Sequence, residues 1–588
     1  MPAYLSALVA LLALTALVSA QEDSSGLDAG AYLAAEQAFE VGEYALAAEF
    51  YARALPDSKE PFIVWRRLVS LLNSGRLSEA AEQAERLEAL GYSDDTTFFV
   101  RSFAAAHLGD WQALLDLSQS SLPSSSYAGL AAPYLQMIAL HAQGKDDAAY
   151  ALLDSASLPS ADLARLTAAL LRIQADAPFA HSDGAPSLAK IDAQLAVLLA
   201  RHAWRHDQGM RAQALYRELL QAGINNAYNR MAAYEYGLLD ESGTLDDLTA
   251  ERPTLAGASH EQVFAEFLTI FARWLSMEPQ SGLDMGQNIV THLLLGAVAL
   301  HPRHDIAPRL LAEQLVAVAV ADQESGLNAK AYARQATRFL QAADLHPAER
   351  LPALLYEVRI TAQFLSEDTA LERLRQQAEV YEVYGETLEW RLQEAELLAM
   401  TGDYDEAVAR YPSLIERMRE REDSRLWLAE FRLGIAFHQL DRQAEAEVAL
   451  GASIAADSEQ PVTLNYLAYL WIDQGVKLDE AEAMLVRVIE LEPDVAAYVD
   501  SLGWLYYRQG DFARALPVLE RAALLDAEDG DGQIYWDILD HLGDTYWQLD
   551  RVRDARFMWR RALSFLPDDE DPSPIEAKLN GEPPRQLP

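Results

Sequence analysis

The sequence predicts an all-α protein, a superhelical solenoid of stacked helix-turn-helix pairs. Three observations predict it. The chain has 588 residues, whereas a single hydrophobic core stops growing at roughly 250–300 residues. Its commonest residues are good helix formers such as Ala, Leu, Glu and Arg, with sparse glycine (29) and proline (24). A motif of small, aromatic and turn residues also returns about every 34 residues. Hydrophobic residues make up 51% of the chain, enough to cover long helical faces and to argue against wholesale disorder.

The repeat is plainest in the last third. Leu502-Gly503, Tyr506, Gly510, Ala515, Leu519 and Ala522 define one unit. The same spacing returns at Leu433-Gly434, Phe437, Asp441, Ala446, Leu450 and Ser453. Leu542-Gly543, Tyr546, Asp550, Ala555, Trp559, Ala562 and Pro567 give a third copy. Leu467-Ala468, Trp471, Gly475, Ala481, Leu485, Val488 and Pro493 give a fourth, with one extra residue in its turn. Each residue type has a reason. Small Gly or Ala in the first helix admits a close second helix, and Gly or Asp after it permits a tight turn. Ala and a bulky residue four positions on bury the second helix, and proline cannot continue it. This is the tetratricopeptide pattern.

Upstream the pattern weakens. Gly402, Ala407 and Tyr411 form one unit; Gly42, Ala47, Tyr51 and Ala54 form another. Gly75 with Ala80, Gly109 with Trp111 and Gly144 with Ala149 continue it, and Gly209 with Ala214 and Tyr216 is a further candidate. Residues 176–187 and 240–260 interrupt the register, although Phe264–Leu275 and Ile306–Ala321 read as amphipathic helices. The expected organisation is a signal at 1–20, a short mobile segment at 21–29 and tetratricopeptide-like repeats at 30–225. Degenerate helical repeats at 226–385, tetratricopeptide repeats at 386–567 and a mobile tail at 568–588 complete it. About a dozen helix pairs are expected.

Leu5–Val18 is an apolar run of 14 residues, short of the ~20 that span a bilayer as a helix. Val18-Ser19-Ala20 and polar Gln21-Glu22-Asp23 follow it, as around a signal-peptidase site. The n-region Met1-Pro2-Ala3-Tyr4 holds no Lys or Arg, so a buried or anchoring N-terminal helix is the alternative. The chain has no cysteine. Disulfides, thiolate sites and a lipid anchor at Gln21 are therefore excluded.

The charge balance is 47 Lys+Arg against 90 Asp+Glu, a net −43. Such a field repels nucleic acid and anionic headgroups. Dispersed carboxylates with little lysine also suit a protein facing high salt. No catalytic motif is found. Ser187 and Lys190 have S-x-x-K spacing without the partner motifs of serine acyltransferases. His202 and His206 stand four apart, but a metal needs a further ligand, and no Glu-x-x-His arrangement accompanies them. His301 and His304 read as loop residues. The acidic loop Asp526–Asp531 lacks EF-hand spacing. The expectation is no enzyme, no cofactor and no metal.

First helices line the inner face of such a solenoid. The register places Asp500, Trp504, Tyr507 and Arg508 there, then Asp537, Asp540, Asp544 and Trp547, with Asn465 and Tyr469 before them. Aromatics beside carboxylates suit a peptide carrying basic and apolar residues. For the tryptophans, packing between repeats is an equal alternative.

Asp500-Ser-Leu-Gly-Trp-Leu-Tyr-Tyr507 and Asp540-His-Leu-Gly-Asp-Thr-Tyr-Trp547 resemble the long tetratricopeptide proteins of Pseudomonas-type bacteria. That group includes the outer-membrane lipoprotein adaptor of the periplasmic carboxyl-terminal processing protease. The resemblance implies a periplasmic scaffold that activates such a protease or delivers cell-wall hydrolases to it. Gln21 departs from the lipidated adaptor, which carries cysteine there. The alternative is a structural scaffold of an envelope assembly system for secretion, pili or polysaccharide export.

Export with cleavage after Ala20 is the testable expectation. N-terminal sequencing of the mature protein should then begin at Gln21; an intact Met1 would overturn it.

Overall fold

The computed structural model describes residues 28–54, 58–120, 122–123, 126–154, 158–176, 192–206, 208–221, 227–241, 255, 258–277, 287–323, 329–380, 387–528, 535–567 and 570–584. The expected signal, Gln21, Ser187, Lys190 and most of the acidic loop after Asp526 lie outside them. All regular structure among the described residues is helical, with no strand. The chain divides into two compact units, Met1–Ser366 and Glu367–Pro588.

In the first unit α1 (Ala29–Glu40) pairs with α2 (Tyr44–Ala54), and α3 (Pro61–Asn73) with α4 (Leu77–Ala89). Next, α5 (Asp95–His107) pairs with α6 (Trp111–Ser118), and α7 (Tyr127–Ala142) with α8 (Asp146–Ala151). After α9 (Ala161–Gln174) come the pair α10 (Ala193–Arg205) and α11 (Gly209–Gln221), then α12 (Ala227–Glu241). The pairs α13 (His260–Met277) with α14 (Gln287–Leu300) and α15 (Ala307–Gln323) with α16 (Ala329–Ala342) precede α17 (Pro347–Phe364).

The second unit opens with α18 (Glu367–Val380). The pairs α19 (Leu388–Met400) with α20 (Tyr404–Glu420), and α21 (Leu426–Gln439) with α22 (Gln443–Ala456), follow. Then come α23 (Pro461–Gln474) with α24 (Leu478–Leu491), α25 (Ala496–Arg508) with α26 (Phe512–Glu528), and α27 (Trp536–Gln548) with α28 (Val552–Phe565). The short α29 (Ser573–Leu579) closes it. First helices of successive pairs also pack on one another, α23 on α25 and α25 on α27.

Local chemistry sets the ends. Asp94 caps α5 with a complete capping box to Thr97, and Ser126, Ser160 and Asp192 cap α7, α9 and α10. Each side-chain oxygen satisfies an N–H that the first turn leaves without a helical partner. The turn residues expected from the register, Gly510, Asp441 and Asp550, all adopt positive φ, as do Gly42, Gly75, Gly109, Gly144 and Gly402. The extra residue in the fourth repeat is absorbed by two left-handed residues, Gly475 and Lys477. The Gly209 candidate has another register. Gly209 opens α11 under Trp204, and Ala212 with Tyr216 is buried there while Ala214 is exposed.

Pair packing follows from the small residues. A Cβ on Gly503 would lie 2.6 Å from Leu519, one on Gly434 2.7 Å from Leu450, and one on Gly543 2.5 Å from Trp559. Ala515, Leu519 and Ala522 are each 0% exposed, as are Ala555, Trp559 and Ala562.

The first unit is not an open array. Helices α13 and α14 pack against α5, and α14 also meets α3. Phe103 and Phe264 are 6.4 Å apart, Phe99 and Phe271 6.3 Å, and Tyr134 and Phe267 6.0 Å, so one aromatic core joins α5 and α7 to α13. A Cβ on Gly296 of α14 would lie 2.6 Å from Phe103. Arg338 of α16 donates to the Gly42 carbonyl at 3.1 Å and pairs with Glu43. The degenerate centre is thus the part that covers the N-terminal repeats. Helix α14, Gln287–Leu300, is apolar through most of its length and packs against α3 and α5, so it carries little amphipathic signal.

Buried ions tie this core together. Arg201, 2% exposed, pairs with Glu235 at 2.6 Å and Asp305 at 2.7 Å, while His346 approaches Glu235 to 3.2 Å. Glu349, 0% exposed, is shared by Arg230 and Arg309. His304, expected in a loop, does lie between helices but is buried, 3.2 Å from Glu266.

The tail expected to be mobile from 568 contains α29, docked through Ile575, 2% exposed. Two substitutions separate close approach from helix propensity. Gly503→Ala should cost about 1–3 kcal/mol through overpacking. Gly451→Ala, mid-helix in α22 with nothing within 4 Å of the new Cβ, should gain about 0.5–1 kcal/mol. Urea unfolding followed by circular dichroism reads both; equal effects would refute the packing argument.

Candidate protein-binding face

The face is built by α23, α25 and α27, consecutive first helices of the second unit. Asn465, Asp500 and Asp540 stand three residues before Ala468, Gly503 and Gly543, so they hold one repeat position. Each has a side-chain Oδ1 buried without a hydrogen-bond partner. Buried acceptors left so cost roughly 1–3 kcal/mol each; Asp500 and Asp540 are held through their other oxygens, by His541 and Lys578.

Tyr469 is the exposed aromatic, 38% accessible. Burial by its neighbours, then the charges of Asp500, Asp473 and Asp537, push its phenol up to about 12 against the pull of Arg508. That phenol therefore sits amid carboxylates from three helices. Arg508 donates to the Asp473 carbonyl at 3.3 Å. Asp537 is exposed, yet crowding that desolvates its carboxyl, then the Asp500 charge, raise its pKa.

The tryptophans take the packing alternative. Trp504, 8% exposed, stacks on Tyr507 at 4.6 Å and 8° and on His541 at 4.0 Å and 14°. Tyr507 is buried, with its hydroxyl 3.3 Å from Gln548 Nε2; burial, then Asp544, push it up to about 12. Trp547 is half-buried and lies 5.6 Å from Trp559.

Asp540 and Asp544 are engaged within the chain. Lys578 of α29 lies 2.7 Å from Asp540 and 2.8 Å from Asp544. The Trp559 indole also donates to Asp544 at 2.9 Å. Burial, then the Asp540 charge, raise Asp544 to about 6 despite Lys578. The accessible part of this face is therefore centred on Tyr469, Arg508 and Asp537 rather than on the tryptophans.

His541 was missed by the sequence reading, although it shares the Asp540 block. Its Nδ1 lies 2.9 Å from Asp500 Oδ2. Burial alone would lower its pKa; the Asp500 charge and hydrogen bond, then Asp537 and Asp540, raise it to about 9. The imidazolium stacks on Trp504, a cation–π contact, and locks α25 to α27. Because its folded pKa exceeds the ordinary 6.5, its contribution is fully present below pH ~6.5 and lost as pH rises through ~9. Stability should fall by up to about 3 kcal/mol across that window, and His541→Gln should flatten it. Urea midpoints at several pH values check this.

No protein-family model matches the chain. It is 35% identical over 79 residues to a tetratricopeptide-repeat-containing protein of Pseudomonas aeruginosa. That match spans 13% of this chain and 13% of the relative's length. Solved structures of similar fold include yeast Tom70, with 14% identity over 94% of each chain and a TM-score of 0.35. The Cut9–Hcn1 complex matches with 16% identity, 93% of this chain, 95% of that chain and a TM-score of 0.36. A tetratricopeptide repeat protein from Parabacteroides merdae matches with 17% identity, 46% of this chain, 97% of its own and a TM-score of 0.32. With four copies of the motif in register, and small residues seating the second helices, the chain is a tetratricopeptide-repeat solenoid.

Proposed function

We propose that the protein is a non-catalytic scaffold that holds a cationic, partly apolar segment of a protein partner on the face of α23, α25 and α27. The observation that carries this reading is Tyr469, exposed on α23 with the charges of Asp500, Asp473 and Asp537 acting on its phenol. An aromatic anchor among carboxylates suits Arg or Lys flanked by apolar residues. A bound segment would also bring the donor that Asn465 Oδ1 lacks. In the first unit α13 packs against α5 and α7, whereas the second unit keeps Tyr469 exposed on its first helices, which supports the second unit as the partner's site.

The family resemblance supports an adaptor of the periplasmic carboxyl-terminal processing protease, working on cell-wall hydrolases. No described helix is long and apolar enough to cross a membrane; association with the outer membrane through partners is part of the proposal. The full chain, immobilised, should capture the protease and its hydrolases from an envelope fraction. Recovery of a secretion, pilus or polysaccharide-export complex would instead favour the assembly-scaffold reading. With the purified partner, Tyr469→Ala should cost about 2 kcal/mol, chiefly through faster dissociation. Asp537→Asn should slow association at low salt. If both variants bind with wild-type kinetics, this face is not the site.

A further inference from the structure

We propose that Asp176, His202 and His206 form a binding site for one divalent transition-metal ion of the zinc class, located in the first unit. The sequence shows the two histidines one helical turn apart but gives no third ligand. The fold supplies it. Asp176 lies two residues beyond α9 at φ 53°, a left-handed conformation, and its N–H is held by the Ile173 carbonyl at 3.0 Å. That turn brings its carboxylate to the last turn of α10. One ligand atom from each of the three residues lies within 4.8 Å of the others. The two imidazole centroids are 4.6 Å apart at 61°.

The donor set has the right chemistry. Two imidazoles and a carboxylate suit zinc, cobalt or nickel, whereas calcium and magnesium favour oxygen ligands. With metal–ligand bonds of 2.0–2.1 Å, tetrahedral neighbours stand about 3.4 Å apart. His206 Nε2 and Asp176 Oδ1 are already 3.0 Å apart. The remaining separations close by side-chain rotation, and an ion would replace the proton between His206 and Asp176. Access is graded. His202 is 2% exposed, while the side chains of His206 and Asp176 are 25% and 39% exposed, so the site has a buried floor and an open mouth. Arg205 stands 3.3 Å from Asp176 but is 50% exposed and can turn to solvent. Three protein ligands leave a fourth position for water. Bound metal would tie the end of α9 to the end of α10.

Calorimetric titration of the chelator-treated full chain with Zn²⁺ should show one ion per chain, and Co²⁺ should give the visible absorption of a low-symmetry site. His206→Ala and Asp176→Asn should each weaken Zn²⁺ binding by about 10-fold or more. Asn tolerates the left-handed turn, so Asp176→Asn keeps the backbone. Zn²⁺ should raise the melting temperature of the wild type and not of the double variant, and excess Ca²⁺ should not compete. Absence of uptake of either ion overturns the proposal. So does wild-type affinity in the double variant, which would put the ion elsewhere on the acidic surface.

Discussion

Close approach of helices at a residue without a bulky side chain is the constraint on which both units depend. In the second unit Gly434, Gly503 and Gly543 seat Leu450, Leu519 and Trp559 at distances a Cβ would occupy. Each contact brings a second helix down onto its first and fixes which residues face outward. The same device appears between elements distant in sequence, where Gly296 of α14 seats Phe103 of α5. Adding even one methyl group there forces shifts in a close-packed interior.

What the two units do with that device differs. The second repeats it from pair to pair, so its first helices form a run whose outward side chains remain accessible in part. The first applies it across the chain and covers its N-terminal repeats with α13 and α14. Covering brings polar groups inside, and these are paired. Arg201 with Glu235 and Asp305, and Glu349 with two arginines, leave no isolated buried charge in that network. Removing one member of such a set is far costlier than replacing the whole by apolar residues. The network therefore specifies how the central helices dock as much as how tightly they do.

The acidity of the chain acquires a local meaning on α23, α25 and α27. A net −43 is a diffuse field, but around Tyr469 and His541 carboxylates from successive helices converge. Some of that charge is neutralised internally. His541 is held protonated beside Asp500, and Lys578 enters between Asp540 and Asp544. The remainder, at Asp473 and Asp537, is what a cationic partner would meet.

Sequence alone determined the all-helical class, the pair register and the turns, because each rests on neighbours within one repeat. Gly510, Asp441 and Asp550 had to tolerate a left-handed turn, and Ala515, Leu519 and Ala522 had to be buried, whatever lay beyond. The common repeat position of Asn465, Asp500 and Asp540 was legible for the same reason. Tertiary structure alone decided which of these positions stay open. Trp504 and Trp547 pack, Asp540 and Asp544 receive a lysine from α29, and Tyr469 stays exposed. It also decided that the degenerate centre covers the N-terminal repeats and that Asp176 reaches the histidine pair. Those outcomes depend on side chains far apart in the chain, and no periodicity encodes contacts between segments that do not share a repeat.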